Sequence, residues 1–309
     1  MEWPSINASK CLIIWKMVKA VEDDQPILER VRTRVQIKNP LFRELLAEFG
    51  STLALVFFGL SNVAQFVLTK ETVNAWVQVN IGWGFAIAFC AYTAARTSGA
   101  HMNPAISMLF FSFGQLPLKK LLLYSLVQTV GAFFGAAAMY LFYLPLFDAY
   151  DGGNRTVAGE HGSGMVFCSY PGKHLGVMGP YVDQIVGTAV LAFLVCIVID
   201  QRNEIPNFLH PLFIGFGVMM IGTMFAVNLG YPINPARDFA PRLFSSFIYG
   251  SDAFLHPYPL YFLAPIIGPM IGAPLGGWLY HLLFGFHIPE STSTVYRIVH
   301  NNEVVHHSA

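Results

Sequence analysis

A chain of 309 residues that is 54% hydrophobic and only 12% charged, with a mean hydropathy of +0.51, carries more apolar surface than a soluble globule of that size buries, so a membrane protein is expected. Its net charge is zero, which leaves no basic field for nucleic acid and no acidic field for a cationic partner. Cys11, Cys90, Cys168 and Cys196 are scattered without CxxC or metal spacing, so packing is their reading and neither metal nor cofactor is expected.

Residues 1–41 carry Lys10, Lys16, Lys19, Arg30, Arg32, Arg34 and Lys38, and their one apolar run, Cys11 to Trp15, is too short for a signal-peptide core. They read as a cytoplasmic tail, on which the sequon at Asn7 would go unused. Crossing a hydrocarbon core of about 30 Å takes roughly 20 apolar residues. The qualifying runs are Phe49 to Thr69, Thr72 to Ala95, Leu121 to Phe147, Gln184 to Ile199 with Tyr181 and Val182 ahead of it, the front of Ile205 to Ala236, and Ala253 to Pro289. The expected fold is therefore all-α, with six transmembrane helices. Two shorter pieces, Pro104 to Gly114 and Pro235 to Ser246, read as re-entrant half-helices.

With the N-terminus inside, thirteen Lys and Arg fall on the cytoplasmic side: the seven above plus Arg43, Arg96, Lys119, Lys120, Arg202 and Arg297. Five, namely Lys70, Arg155, Lys173, Arg237 and Arg242, fall outside. The positive-inside rule favours this orientation. It puts the sequon at Asn154 in an external loop, where either glycosylation or an unmodified polar turn fits.

The chain also resembles itself. Each half has a first span with an acidic or amide residue near its start (Glu48; Gln184), a glycine-rich second span, an Asn-Pro-Ala triplet, a short amphipathic stretch and a third span. Three spans per half invert the second copy, the arrangement that builds a site at the midplane. The expected organisation is a channel domain over 42–286 (repeat one about 42–147, repeat two about 181–286, external loop 148–180) followed by a cytoplasmic tail, 287–309. Gly131 to Gly135 and Gly268 to Gly277 read as close helix packing.

The triplets are Asn103, Pro104, Ala105 and Asn234, Pro235, Ala236. Asn is a favoured N-cap and Pro is favoured at N1. With its oxygen tied to the backbone, each carboxamide keeps its NH2 to donate into a pore. Two positive helix ends meeting at mid-membrane would repel cations, protons included.

The stretches Ser98 to Ala105 (SGAHMNPA) and Gly230 to Asp238 (GYPINPARD) resemble the signature loops of the aquaporin, or major intrinsic protein, family. The resemblance covers roughly residues 42 to 286. It implies six spans and two half-helices, one pore per subunit, a homotetramer in a lipid bilayer, and a selectivity filter at Trp83, Gly222, Tyr231 and Arg237. A charge in the first turn of a membrane half-helix is functional by default. Removing an imidazole at Gly222 widens the passage, while Trp83 and Tyr231 offer carbons a surface and Arg237 offers hydroxyls a donor. That arrangement resembles the aquaglyceroporins, and Tyr143, Asp238, Arg242, Pro265 and Ile266 stand at their marker positions.

The carbonyls of Gly99, Ala100, His101, Asn228, Leu229 and Gly230 are expected to form acceptor lines down the two half-pores, and Pro232 to restrict Tyr231 to an extended geometry. His101 reads as a structural hydrogen-bonding residue rather than a titrating switch. Gln184 departs from the family's second buried glutamate and leaves Glu48 as the one ionisable brace of the loops. The expected function is passive conduction of glycerol and water, extending to urea and other small neutral solutes, in a multi-pass protein of the plasma membrane that is no enzyme. Two alternatives stay open: a water-selective pore, against which Gly222 and Tyr231 argue, and an ion-coupled secondary transporter, for which only Glu48 and Arg237 offer ionisable groups at depth. His306 and His307 read as flexible charge or a metal site.

Overall fold

The computed structural model describes residues 26–289. Cys11 to Trp15, the basic residues up to Lys19, the sequon at Asn7, Arg297, His306 and His307 lie outside the described residues. Among the described residues ten α-helices follow in order: α1 (Ile27–Val35), α2 (Pro40–Leu68), α3 (Trp76–Ala94), α4 (Pro104–Ser112), α5 (Leu118–Asp151), α6 (Gly179–Ile199), α7 (His210–Leu229), α8 (Pro235–Tyr249), α9 (Asp252–Leu255) and α10 (Ala264–Leu283). Among the described residues there is no strand ladder. Six of these helices, α2, α3, α5, α6, α7 and α10, are long and apolar enough to cross a membrane, and α4 and α8 are the two short pieces. By internal contacts the chain divides into Met1–Arg43 and Glu44–Ala309; the packing below belongs to the second unit.

Several boundaries differ from the charge-free runs. The first span starts at Pro40, nine residues before Phe49, because a helix continues through charges that find partners. Glu44 pairs with Lys120 at 2.7 Å and accepts the Tyr124 hydroxyl at 2.9 Å. The run from Ala253 is broken: α9 ends at Leu255, and the last span occupies Tyr261–His287, since Pro257 and Pro259 cannot continue a helical ladder. Helix α5 runs through Asp151 to a left-handed cap at Gly152 (φ 63°).

The two halves pack through glycines. In lipid no hydrophobic force draws helices together, so close backbone approach and polar bonds must do it. A Cβ added at Gly131 would lie 2.4 Å from the Phe49 carbonyl oxygen, holding α5 on α2; one at Gly272 would lie 2.2 Å from that of Ile185, holding α10 on α6. The two second spans meet each other: a Cβ at Gly84 would lie 2.7 Å from the Gly215 oxygen, and one at Gly215 2.5 Å from the Gly84 oxygen. Each of these glycines stands nineteen residues ahead of its Asn, so equivalent positions of the inverted repeat touch. Large apolar side chains such as Leu122, Leu126, Leu141 and Phe142 remain exposed on the outside, as a lipid-facing surface requires. Cys90, Cys168 and Cys196 are buried and unpaired, in keeping with packing; in the loop after α5, burial pushes the Cys168 thiol up to about 11.

Candidate functional site

The half-helices α4 and α8 start tip to tip. Asn103 caps α4 by accepting the Ala105 N–H at 2.8 Å, and Asn234 caps α8 by accepting those of Ala236 and Arg237 at 3.1 and 3.2 Å. Each carboxamide then reaches across: Asn103 Nδ2 donates to the Ile233 carbonyl and Asn234 Nδ2 to the Met102 carbonyl, both at 2.9 Å. The expectation of a wholly free NH2 is thus corrected. One hydrogen of each amide locks the opposite loop, and the second is left for the cavity that both residues line.

The loops ahead of the tips are mirror copies in backbone conformation. Residues three and one before each Asn adopt left-handed φ: Ala100 (54°) and Met102 (50°), Tyr231 (44°) and Ile233 (39°). Such conformations cost about 1–3 kcal/mol each and persist only where the surroundings hold them. Tyr231 is therefore not extended as Pro232 suggested: the brace at Ile233 and the anchor on its hydroxyl outweigh the pre-proline preference.

Those braces are unequal. Glu48, fully buried, accepts from the Ser98 hydroxyl (2.5 Å), the His101 N–H (2.9 Å), the Met102 N–H (2.7 Å) and Gln128 Nε2 (2.8 Å). With the His101 and Met102 N–H groups turned to the carboxylate, the carbonyls on the same trans peptide planes, those of Ala100 and His101, point the other way, and Gly99, Ala100 and His101 all line the cavity. Gln184 accepts a single loop N–H, that of Ile233 at 3.0 Å, and spends its Nε2–H on Asp183 at 3.0 Å. Asp183 also accepts Asn228 Nδ2 at 2.6 Å. Glu48 is accordingly not the one ionisable group behind the loops; Asp183 stands behind the second. The His101 ring bonds Ser107 Oγ at 3.0 Å and stacks on Phe110 at 4.7 Å, a structural role.

On the second side the acceptor line is shorter than expected. The Asn228 carbonyl accepts the Gly172 N–H at 2.7 Å, and Asn228 and Leu229 line only an outer cavity. Gly230, Tyr231, Pro232 and Ile233 line the inner one.

Two cavities, of about 600 and 290 Å³, share four lining residues: Trp83, Gly230, Tyr231 and Arg237. Three candidate filter residues thus stand where the cavities meet. The Arg237 guanidinium lies 4.6 Å from the Trp83 ring centroid, a cation–π distance, and donates to the Phe167 carbonyl at 3.4 Å. Trp83 has room because Gly59 has no side chain: a Cβ there would sit 2.1 Å from the indole. Gly222, the fourth position, does not line either cavity. A Cβ on it would lie 2.7 Å from Tyr231 Cζ and 2.6 Å from Asn80 Oδ1, and the Tyr231 hydroxyl donates to Asn80 at 2.7 Å. The glycine therefore does not widen the passage directly; its missing side chain makes room for the Tyr231 ring.

The marker residues divide. Asp238 and Arg242 are fully buried and paired at 3.1 Å. Asp238 accepts the Ser169 N–H at 2.7 Å, while Arg242 donates to the carbonyls of Ser169 (2.6 Å) and Ala253 (2.8 Å). This clamp fixes the loop whose Phe167 carbonyl holds Arg237. Tyr143, which accepts from Gln65 Nε2 at 3.1 Å, and Pro265 and Ile266 in the first turn of α10 line neither cavity. Sequence reasoning missed Asn80, Gln128 and Asp183, although a polar side chain inside an apolar span is itself a signal. It also missed the Phe167 carbonyl, for which no sequence signal exists.

Residues 35–280 match the major intrinsic protein family. The chain belongs to that family. It is 34% identical to human aquaporin-9 over 264 residues, covering 85% of this chain and 89% of that one. It is 34% identical to human aquaporin-10 over 258 residues, covering 83% and 85%. Among solved structures, the aquaglyceroporin from Plasmodium falciparum matches with a TM-score of 0.71 at 26% identity, covering 80% of this chain and 98% of that one. This family member is a multi-pass all-helical membrane protein.

Proposed function

We propose that the chain is a passive channel for glycerol and water, extending to urea and other small neutral solutes. The observation that carries this reading is the meeting of the two cavities at Trp83, Tyr231 and Arg237. Two aromatic faces and one guanidinium suit a polyol, whose carbons pass along the rings while its hydroxyls accept from Arg237. Below that point Leu55, Ile87, Leu191, Val195 and Val218 form an apolar wall of the inner cavity that also carries the Gly99 to Met102 loop, so the amphipathic character continues inward. Two half-helix N-termini facing each other across the locked Asn pair disfavour cations.

In this reading Trp83, Tyr231 and Arg237 form the filter and Gly222 shapes it through Tyr231. Glu48 and Gln184 brace the loops, and Asp238 and Arg242 position the outer rim. The chain works as a homotetramer in the plasma membrane, with both termini cytoplasmic and no catalysis. Asn154, exposed just after the αL turn that ends α5, is the proposed glycosylation site.

Purified protein in liposomes is expected to raise glycerol permeability without saturation at millimolar solute and without dependence on ion gradients. Saturable flux driven by sodium or protons would favour the secondary transporter. Water flux without glycerol flux would favour the water-selective pore.

A further inference from the structure

We propose that α1 is a docking helix for the anionic headgroups of the membrane that the chain spans, lying in the interface with its apolar face down. This is independent of which solute the pore carries.

At about 100° per residue, Ile27, Val31, Val35 and Leu28 fall within one arc of about 100°. They are 73%, 48%, 68% and 81% exposed, and no residue of α1 is buried. Arg32 stands on one flank of the arc, Arg34 and Arg30 on the other, and Glu29 and Thr33 occupy the far side. Glu29 pairs with Arg32, so the helix keeps a net positive charge. Arginines on both edges of an apolar stripe are what an interfacial helix needs: the stripe enters the acyl boundary while the guanidinium groups reach phosphates beside it.

Two more observations fit that occupant. A nine-residue helix without a side-chain cap is too short to persist in water on its own, so a surface has to support it. Only residues 36–39 separate it from Pro40, where the first span begins. A linker of that length reaches at most about 17 Å, which confines α1 to the neighbourhood of the headgroups.

The test uses the full chain in vesicles at low protein-to-lipid ratio, with Cys11→Ser to remove the tail thiol and a nitroxide on Val31→Cys or Thr33→Cys. Collision with oxygen against a water-soluble nickel chelate reports depth. In vesicles containing phosphatidylserine, the Val31→Cys probe is expected to favour oxygen and the Thr33→Cys probe the chelate. Replacing Arg30 and Arg34 with Gln is expected to lower the docked-to-undocked ratio about fivefold per arginine. Raising salt from about 0.1 to about 1 M, which shortens the Debye length from about 10 to about 3 Å, should weaken docking in the same direction. A thermal midpoint matching the parent's verifies the fold of each variant, since no residue of α1 is buried. Equal chelate access at the two positions would overturn the proposal. So would burial of the Val31→Cys probe that ignores salt and arginine content, or that grows with protein-to-lipid ratio, which would assign the face to protein.

Discussion

Asn234 donates a carboxamide hydrogen to the Met102 carbonyl at 2.9 Å, and Asn103 returns the same bond to Ile233. The two half-helices are therefore pinned together by their own caps, each asparagine serving its helix with the oxygen and the opposite loop with the nitrogen. Removing either side chain should cost a cap and a buried hydrogen bond, on the order of 2 kcal/mol.

Asn103→Ala and Asn234→Ala are each expected to lower the thermal midpoint in detergent. The double variant should lose less than the sum, because both bonds cross one contact. Fully additive losses in a double-mutant cycle would mean that the caps act separately.

Gly222→His alone is expected to be poorly folded. Its Cβ would meet Tyr231 at 2.7 Å and Asn80 at 2.6 Å, an overpacking of about 1–3 kcal/mol. Tyr231→Cys in the same chain vacates that space and should restore the thermal midpoint. A single variant as stable as the parent would contradict the placement of the Tyr231 ring.

Gln184→Glu should destabilise the second loop although the first loop is braced by a glutamate. Glu48 receives four donors, whereas position 184 receives one loop N–H and sits against Asp183. A second carboxylate there replaces a hydrogen bond with a like-charge contact. Asp183→Asn is expected to rescue it. Thermal midpoints of the three variants check this, and an unaffected Gln184→Glu would sink the explanation.

At the end of α6, the hydrogen bonds from Arg202, with help from the Tyr280 hydroxyl, hold the Asp200 carboxyl below its ordinary value. A lowered folded value contributes stability above the unfolded one, near 3.9, and loses it as pH falls through the folded value. Asp200→Asn should therefore cost on the order of 1 kcal/mol at neutral pH. The gap from the parent should close in strongly acidic buffer. A pH-independent gap in thermal midpoint would mean that the charge is not what matters.

The spans, the inverted repeat and the paired tips were legible because hydropathy, the two Asn-Pro-Ala triplets and the glycine spacing each have a local cause. Span ends were less legible: Glu44 and Glu48 halt a charge-free run but not a helix in which both are partnered. Of the four candidate filter positions, Trp83, Tyr231 and Arg237 line both cavities and Gly222 lines neither, since where Gly222 faces depends on where Tyr231 puts its ring. That placement rests on Asn80, 151 residues away along the chain. The Phe167 carbonyl and the outer clamp of Asp238 and Arg242 join segments through backbone groups, the carbonyls of Phe167, Ser169 and Ala253 and the Ser169 N–H, which carry no mark of residue type.

The most direct test of an amphipathic throat at Trp83, Tyr231 and Arg237 is the paired glycerol and water permeability of vesicles holding the parent or the Gly222→His, Tyr231→Cys double variant. The account expects glycerol flux to collapse in the double variant while water flux is largely kept, because the imidazole takes the place of the Tyr231 ring and puts a polar edge where carbons had an aromatic face to slide along. Equal loss of both fluxes, or glycerol flux that survives the change, would contradict it.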